Sequence, residues 1–236
     1  MSYTDANASD IKRQVMMTYD GISEDFDRTR RKPWPAVADF ISGLTKGAPV
    51  LDIGCGNGKN AMAVLRHGCP CVCIDLAINQ CQVTKAKLLT ASFDGSPGFE
   101  VLQADCERLP FKDATFDAVL FIATLHHLPG KDHRLAALAE MARCMRPGAN
   151  GLISVWDFAQ GRFEKEYSRQ ASGGRPLGPG NEFGDVNVSW KTSSRTYPRF
   201  YHLFTFEEFR SLVQEAGFSS AAFLTESGNH YARVVR

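Results

Sequence analysis

Short apolar runs alternate with segments of helical periodicity along most of this 236-residue chain. In the helical segments the apolar positions recur every three or four residues, whereas the short runs are rich in β-branched and other apolar residues. The pattern predicts strands at 50–53, 71–75, 99–104, 117–122 and 151–156, with helices at 60–67, 80–89 and 132–145. Such alternation indicates βαβ units, which form a parallel sheet with right-handed crossovers.

The residues before this alternation, 1–45, are predicted to form an N-terminal helical and lid segment. Residues 1–8 are expected to be disordered, and a helix is expected to begin at Ser9 or Asp10. The charged run 28–32 precedes Pro33-Trp34-Pro35, where the prolines favour an extended chain. This run is either a solvated connector or an active-site lid that carries cations. A further helix is predicted at about 36–44.

Residues 157–202 interrupt the alternation and are interpreted as a substrate-side insertion within a single domain, 1–236. Their glycines and prolines predict a loop too long for a plain connector, and such a loop is either functional or disordered. A helix follows at Thr205–Ala216, where Thr205 and Glu208 form a capping box. Two strands, Phe218–Thr225 and His230–Val235, end the chain.

The charge balance argues against a general affinity for nucleic acid. The formal net charge is +1, so binding to RNA would need local basic patches or the help of a partner. No apolar run approaches the roughly 18 residues of a membrane helix, and the N-terminus is polar without a signal-peptide core. We therefore expect a cytoplasmic protein that does not enter a membrane.

Seven cysteines fall mostly in predicted core segments. Cys69, Cys71 and Cys73 alternate along one strand, a spacing shorter than zinc ligands use. We interpret the cysteines as reduced, buried, small hydrophobic residues and predict no metal site.

The turn after the first predicted strand carries the clearest chemical signal. Asp52 is followed by Gly54-x-Gly56-x-Gly58 and then by a helix. Glycines at these positions let the backbone approach a ligand, and the following helix N-terminus offers free N–H groups. A dinucleotide fingerprint would need glycine at position 59, where Lys59 stands. The alternative is a plain strand-to-helix turn.

Asp52, this turn and the acids that end the next strands resemble the class I S-adenosylmethionine (SAM) methyltransferases. The stretch from Leu109-Pro110-Phe111 to Phe116-Asp117 is also typical of them. The resemblance implies a seven-stranded Rossmann-like α/β sheet of order 3-2-1-4-5-7-6, with an antiparallel last strand and helices on both faces. It implies SAM as cofactor, with S-adenosylhomocysteine as product. The implied cofactor residues are Asp52, Gly54, Cys55, Gly56, Asp75, Leu76, Asp105, Cys106 and Ala123.

Three further stretches resemble the tRNA wobble-uridine carboxymethyl methyltransferases, which esterify the carboxylate of 5-carboxymethyluridine in the anticodon. They run from Tyr19 to Pro35, from Ile122 to Leu128, and from Leu152 to Gly161 together with Arg199–Phe204. The chain departs from the family at Asn60, where an aromatic residue is usual, at Leu76-Ala77 and at Asn229-His230-Tyr231.

The resemblance implies a substrate site built around cations. A carboxylate is ionised at pH 7 and needs no general base, so catalysis would rest on positioning and desolvation. Arg30 and Arg199 match the family motifs and are the candidates that hold the carboxylate. His126 follows the fourth strand, beside the transferred methyl group, unless it only packs there. The candidate substrate-binding residues are Tyr19, Lys32, Trp156, Tyr201 and His202.

Tyr19, Trp156 and Tyr201 could stack on the uracil or the cofactor, or serve as core aromatics. Basic residues of the insertion could follow the anticodon-loop backbone, or could simply be solvated: Arg162, Arg169, Arg175, Lys191 and Arg195.

The resemblance also implies a protein partner, the small zinc-binding activator subunit that several methyltransferases share. In the implied sheet order the third strand is an edge, and Phe99, Val101 and Leu102 offer it an apolar surface for β-addition. Two other functions stay open on sequence alone. One is a small-molecule methyltransferase, and the other is a non-catalytic protein of the same fold that only binds RNA or a partner.

Overall fold

A mostly parallel seven-stranded sheet forms the centre of the computed structural model, which describes residues 5–91, 93, 98–176 and 182–236. The strands are β1 (Val50–Ile53), β2 (Cys71–Asp75), β3 (Phe99–Gln103), β4 (Phe116–Ile122), β5 (Met145–Trp156), β6 (Asp185–Lys191), β7 (Thr196–His202), β8 (Ser220–Glu226) and β9 (Asn229–Val235). The α-helices are α1 (Asp5–Gly21), α2 (Ser23–Thr29), α3 (Pro35–Ser42), α4 (Lys59–His67), α5 (Ile78–Thr90), α6 (Lys131–Cys144), α7 (Glu164–Ala171) and α8 (Phe206–Glu215).

The order of strands in the large sheet is β3-β2-β1-β4-β5-β9-β8. β9 runs antiparallel to both of its neighbours, with Tyr231 opposite Ser154 of β5 and opposite Leu224 of β8. Since β8 and β9 are the sixth and seventh strands of the sequence prediction, the predicted order 3-2-1-4-5-7-6 is confirmed.

Helices cover both faces of this sheet, and the central strands are buried on both sides as a parallel sheet requires. On one face, Val37 of α3 and Val64 of α4 pack over β1 and β2. On the other face, Leu138 of α6 and Phe209 of α8 pack over β4 and β5. The carboxyl ends of β1 to β4 therefore meet at one edge between two apolar layers.

Two boundaries differ from the sequence predictions. Residues 5–8 are helical rather than disordered, because α1 begins at Asp5 and Ala8 is buried; residues 1–4 lie outside the described part of the chain. β5 begins at Met145 instead of Gly151, since Met145 already pairs with Phe116 before the register shifts between Phe116 and Ala118.

The insertion 157–202 is largely folded where the structure describes it, and the prediction of a long loop was wrong there. It contains α7 and an antiparallel hairpin of β6 and β7, in which Val188 pairs with Arg199. The strand signal was present in the sequence, because Val186, Val188 and Trp190 alternate with polar residues. The predicted turn glycines Gly178 and Gly180 lie outside the described residues. No helix among the described residues combines the length and the apolar character needed to cross a membrane.

Candidate active site

The carboxyl ends of β1 to β4 open into one cavity of about 130 Å³. Side chains from the lid segment and from α1 also line it, so the N-terminal part of the chain closes over the sheet edge. All but one of the predicted cofactor residues line this cavity, as does Tyr19, a predicted substrate residue. Several residues that the sequence reasoning did not assign to the site also line it: Lys12, Phe26, Asn57, Lys59, Asn60, Thr124 and His127. Asp52 is the exception, since it is fully buried behind the glycine turn.

The glycine turn has a conformation that other residues would strain. Gly54 and Gly56 have positive φ angles of 70° and 54°, in the left-handed region that glycine tolerates. A Cβ added at Gly54 would lie 2.1 Å from Oγ1 of Thr124. The turn can therefore lie close to the end of β4 only because position 54 lacks a side chain.

The Asp75 carboxylate is oriented by backbone amides at the end of β2. Its Oδ2 accepts a hydrogen bond from the Gly56 N–H and its Oδ1 accepts one from the Ala77 N–H, both at 2.9 Å. Burial raises the pKa of Asp75 to about 6, although these two amides oppose the shift. Each oxygen keeps a lone pair, so the carboxylate can still accept from a ligand hydroxyl group.

Three buried acceptor atoms near the turn have no side-chain hydrogen bond recorded among the residues that the structure describes. These are both carboxylate oxygens of Asp52 and the Oδ1 atom of Asn60. Burial raises the pKa of Asp52 to about 7, and the nearby charge of Lys59 offsets this only in part. A buried acceptor without a partner is costly, and Asn60 lines the cavity, so a ligand bound there would satisfy its Oδ1 atom.

Lys59 adds a cation that the sequence reasoning did not assign. It lines the cavity, and its Nζ lies 4.8 Å from the centroid of the Trp34 ring on the lid segment. Burial, followed by the charge of Arg30, lowers the pKa of Lys59 to about 8. Lys59 therefore places a cationic side chain at the cavity wall and is also the first residue of α4.

At the far side of the cavity, Asp105 is already in contact with α1. Its Oδ2 accepts a hydrogen bond from Lys12 Nζ at 2.6 Å, and its Oδ1 accepts one from the Glu107 N–H at 3.0 Å. Leu76 and Cys106 line the wall beside it. Lys12 thus ties α1 to the end of β3, and a ligand at Asp105 would share the carboxylate with that lysine.

Ala123, directly after β4, has a φ of 53°, which is unusual for a residue other than glycine. Its N–H donates to the backbone and side-chain oxygens of Ser154, each at 3.0 Å. Strained backbone of this kind is concentrated at functional sites, where the surrounding structure over-determines it.

The two histidines after β4 have different roles. His126 is buried, its Nδ1 accepts a hydrogen bond from the Trp156 N–H at 3.2 Å, and burial lowers its pKa well below the ordinary value. His127 lines the cavity instead, and burial lowers its pKa to about 3. Both imidazoles are therefore neutral. The sequence reasoning chose His126, whereas the structure places His127 at the cavity wall.

A directed chain of hydrogen bonds passes through His127. Its Nδ1–H donates to the Phe200 carbonyl at 2.9 Å, so its Nε2 accepts from the Tyr19 hydroxyl at 2.9 Å. The Tyr19 oxygen then accepts from the Tyr201 hydroxyl at 3.3 Å, and the Tyr201 oxygen accepts from Arg199 at 2.8 Å. The chain fixes the tautomer of His127 and joins α1, β4 and the β6–β7 hairpin.

Tyr201 and Trp156, both predicted to bind substrate, stack on each other. Their ring centroids are 4.3 Å apart with an interplanar angle of 16°. The guanidinium of Arg162 lies 4.1 Å from the Trp156 centroid. A base that stacked on Trp156 would have to displace Tyr201 or Arg162. The two stacked rings therefore form an aromatic wall, which we call the Trp156–Tyr201 wall.

The predicted carboxylate ligands Arg30 and Arg199 meet at one aromatic ring. Their guanidinium carbons lie 5.9 Å and 4.9 Å from the ring centroid of Trp190, on β6. Among the described residues, no carboxylate is recorded within ion-pair distance of either guanidinium, although Arg199 is buried. We call these two residues the arginine pair. Guanidinium groups bind carboxylates through charge-assisted hydrogen bonds, which makes the arginine pair a candidate site for an anion.

Of the predicted substrate residues, Tyr19 lines the cavity, whereas the others are not among its lining residues: Arg30, Lys32, Trp156, Arg199, Tyr201 and His202. Lys32 is exposed on the extended part of the lid segment. His202 is buried, with Nδ1 2.8 Å from Asp185 and Nε2 2.7 Å from Glu208, so neither ring nitrogen is available to a substrate. A local motif could not show this, because both acids come from other parts of the chain.

Comparison with known proteins supplies the family. The sequence model of the Methyltransferase domain family matches residues 51–153. The tRNA (carboxymethyluridine(34)-5-O)-methyltransferase of Schizosaccharomyces pombe is 30% identical over 227 residues, covering 86% of this chain and 87% of that protein. The chain belongs to the tRNA carboxymethyluridine methyltransferase family. The alkbh8 enzyme of the same name from Xenopus tropicalis is 36% identical over 70% of this chain, and the chain spans only 24% of that protein's length.

Solved structures show the same fold at low identity. A Burkholderia thailandensis 1,6-didemethyltoxoflavin-N1-methyltransferase with bound S-adenosylhomocysteine is 19% identical, with a TM-score of 0.65 over 100% of this chain and 92% of that one. The complex between the Haloferax volcanii Trm112 methyltransferase activator and its methyltransferase matches with a TM-score of 0.62 at 16% identity, over 92% of this chain and 96% of that one. These structures show the fold alone, whereas the matching family model and the curated relatives show that the protein is a class I SAM-dependent methyltransferase.

The residues of the cavity fit SAM. The Oδ1 atom of Asn60, which lines the cavity, lacks a donor, and the methionine ammonium of SAM is such a donor. The Asp75 carboxylate has free lone pairs for ribose hydroxyl groups. The cavity wall at Gly54 admits no Cβ. The bound cofactor supplies an electrophilic methyl group on a sulfonium.

Proposed function

We propose that this protein transfers the methyl group of SAM to the carboxylate of wobble 5-carboxymethyluridine in tRNA and forms the methyl ester. The observation that carries this proposal is the arginine pair around Trp190, whose ring also contacts Phe26 on the wall of the cofactor cavity. Because the pair has no recorded acidic partner among the described residues, it suits an anionic substrate. The names of the matching relatives supply the tRNA and the modified base.

The chemistry needs no base from the protein. The substrate carboxylate is already ionised at pH 7, and its oxygen is the nucleophile. His126 and His127 are neutral, and both are held by hydrogen bonds within the protein. The protein's contribution is to orient the carboxylate with Arg30 and Arg199 and to keep water out with the Trp156–Tyr201 wall.

Exposed cations around the site would contact the phosphate backbone of the anticodon loop. Arg31 and Lys32 of the lid segment are exposed, as are Lys191 and Arg195 of the β6–β7 hairpin. Such contacts position RNA without reading its sequence. They supply local positive charge to a chain whose net charge is only +1.

The edge of the sheet would take the small zinc-binding activator subunit. β3 has a sheet neighbour on one side only, and its Leu102 is 38% exposed. An extended segment of a partner could add there as a further strand. The fold similarity to a methyltransferase solved with its activator supports this part of the proposal.

Mass spectrometry of tRNA nucleosides from cells that lack this protein tests the reaction. We expect 5-carboxymethyluridine, or a nucleoside derived from it, to accumulate while its methyl ester disappears. Return of the ester with the wild-type gene, but not with an Asp75→Ala gene, would tie the change to this active site. An unchanged level of the ester would contradict the proposal.

A further inference from the structure

Arg30 lies just beyond the C-terminal end of α2, outside the regular hydrogen bonding of the helix. Its backbone has a φ of −123° and a ψ of 76°. Among the described residues, the recorded contacts of its guanidinium are with the rings of Phe26 and Trp190, whose centroids each lie 5.9 Å from the guanidinium carbon. Contacts with aromatic rings hold the guanidinium near the ring faces but leave the orientation of the side chain loosely determined. The position of the guanidinium then depends on how firmly the backbone of Arg30 is held.

The cofactor turn holds this backbone through Asn57. The side chain of Asn57 is 1% exposed, and its Nδ2 donates to the Arg30 carbonyl at 2.6 Å and to Asp27 Oδ1 at 2.9 Å. One amide group thus uses both of its N–H bonds on the lid segment. It holds the last turn of α2 and the residue that follows it.

A lysine of α5 completes the arrangement from the other side. Nζ of Lys87 donates to the Asn57 carbonyl at 2.8 Å and forms an ion pair with Asp27. Thr84, on the same helix, donates to the Gly56 carbonyl at 2.6 Å. The turn is therefore anchored on α5, and the lid segment is anchored on the turn.

We propose that Asn57, with Asp27 and Lys87, is a positioning residue that sets the place of Arg30 for the substrate. Asn57 stands between two glycines of the cofactor turn, yet its side chain bonds to the lid segment that carries the substrate cation. The same turn thus serves the cofactor with its backbone and the substrate with this side chain. The inference rests on the proposed role of Arg30 as a carboxylate ligand.

The test uses Asp27→Ala and Asn57→Ala, each alone and combined with Arg30→Ala. Asp27 does not line the cofactor cavity, so its loss removes the network without altering the cavity wall. Asp25→Ala is the matched control, because Asp25 lies on the same helix and its recorded ion pair, within the described part of the chain, is with the exposed Arg28. Three quantities are measured: methyl transfer to tRNA with 5-carboxymethyluridine, SAM affinity by calorimetry, and hydrogen exchange of residues 23–34.

We expect Asp27→Ala and Asn57→Ala to lower kcat/KM for the tRNA about tenfold, mainly through KM. SAM affinity in Asp27→Ala should stay within about twofold of wild type, and residues 23–34 should exchange faster. In the Arg30→Ala background neither change should cost more, because residues that act through one group are not additive. Asp25→Ala should behave as wild type.

Losses that multiply with that of Arg30→Ala would overturn the inference, as would an equal loss of SAM affinity in Asp27→Ala. If Arg30→Ala itself transfers methyl groups normally, the proposed role of Arg30 fails, and hydrogen exchange then decides on the network alone. Faster exchange of residues 23–34 in Asp27→Ala would support the positioning of the segment, whereas unchanged exchange would refute it.

Discussion

At the scale of single residues, the acids Asp52 and Asp75 could be predicted because each lies at or next to the carboxyl end of its strand. Asp52 and Asp75 belong to runs of consecutive residues whose pattern places them at one sheet edge. Asn57 and His127 could not be assigned in this way. His127 depends on Tyr19, which is 108 residues away, and Asn57 depends on a lid segment 27 to 30 residues before it. Such roles come from tertiary contacts, which local spacing does not contain.

The Asp75 carboxylate gives the cofactor affinity a pH dependence. Its pKa is about 6 because of burial, and only the ionised form can accept from both ribose hydroxyl groups with both oxygens. We expect SAM affinity to fall as the pH drops through 6. Asp75→Ala should bind SAM roughly 10- to 100-fold more weakly, which corresponds to about 1.5–3 kcal/mol for charge-assisted hydrogen bonds.

Calorimetry at several pH values measures both effects. Asp52→Asn is the control, because the pKa of Asp52 is also raised by burial, to about 7. A decrease near pH 6 that persists in Asp52→Asn belongs to Asp75. An affinity that does not change between pH 5 and 7, in a protein that stays folded, would contradict this assignment.

At the scale of elements, the β6–β7 hairpin is attached to the core by a buried ionic cluster. Asp185 begins the hairpin and His202 ends it, and between them they meet Glu208 of α8. Arg134 of α6 donates to Glu182 at 2.6 Å. Ligand atoms of Glu182, Asp185 and His202 lie within 4.8 Å of one another, a spacing that a metal ion could also use. Here the Arg134 guanidinium supplies positive charge to the cluster.

This cluster should make the attachment of the hairpin sensitive to pH. Burial and the charge of Arg134 oppose protonation of His202, but its hydrogen bonds to Asp185 and Glu208 outweigh them and raise its pKa above the ordinary value of about 6.5. Because the pKa of His202 is higher in the folded than in the unfolded state, its protonation contributes its full stabilisation below pH 6.5. The stabilisation is lost as the pH rises through the folded-state value.

We therefore expect His202→Ala to lower the free energy of unfolding by about 3 kcal/mol at pH 6, as loss of one partner of a buried pair does. The difference from wild type should shrink as the pH rises above 6.5. Urea unfolding of both proteins across pH 5.5 to 9 measures it. His126 and His127 have lowered pKa values, so they change the stability with pH in the opposite direction. Both proteins contain these two residues, so their effect cancels in the difference between wild type and His202→Ala. A difference that grows with pH would contradict the assignment.

At the scale of the whole molecule, the strand order followed from periodicity, because a buried parallel sheet imposes apolar strands and amphipathic helices in alternation. The secondary structure of the insertion could not be predicted in the same way. Its many glycines and prolines indicated a loop, although short strands with alternating apolar residues lie among them. Its position over the site matters most, since the hairpin brings Trp190 and Arg199 to the lid segment that carries Arg30.

The exposed edge strand leads to a prediction for the intact protein. We expect the chain to gain solubility and activity when it is co-expressed with the small activator subunit. Leu102→Lys should reduce this gain, because a charge on an edge strand opposes strand addition. Leu224→Lys, at the opposite edge of the sheet, is the control. Co-purification yields compare the variants, and an equal yield of complex from both would contradict the proposed edge.

The most direct test of the account is methyl transfer to two tRNAs that differ only in the wobble base. Labelled SAM is offered with tRNA that carries 5-carboxymethyluridine and with the same tRNA carrying uridine, to the wild type, Arg30→Ala and Arg199→Ala, together with any activator. We predict label only on the first tRNA, reduced at least about tenfold in each variant with SAM affinity nearly unchanged, since each loses a charge-assisted hydrogen bond. Equal labelling of both tRNAs, or full labelling by both variants, would contradict the carboxylate as the substrate group.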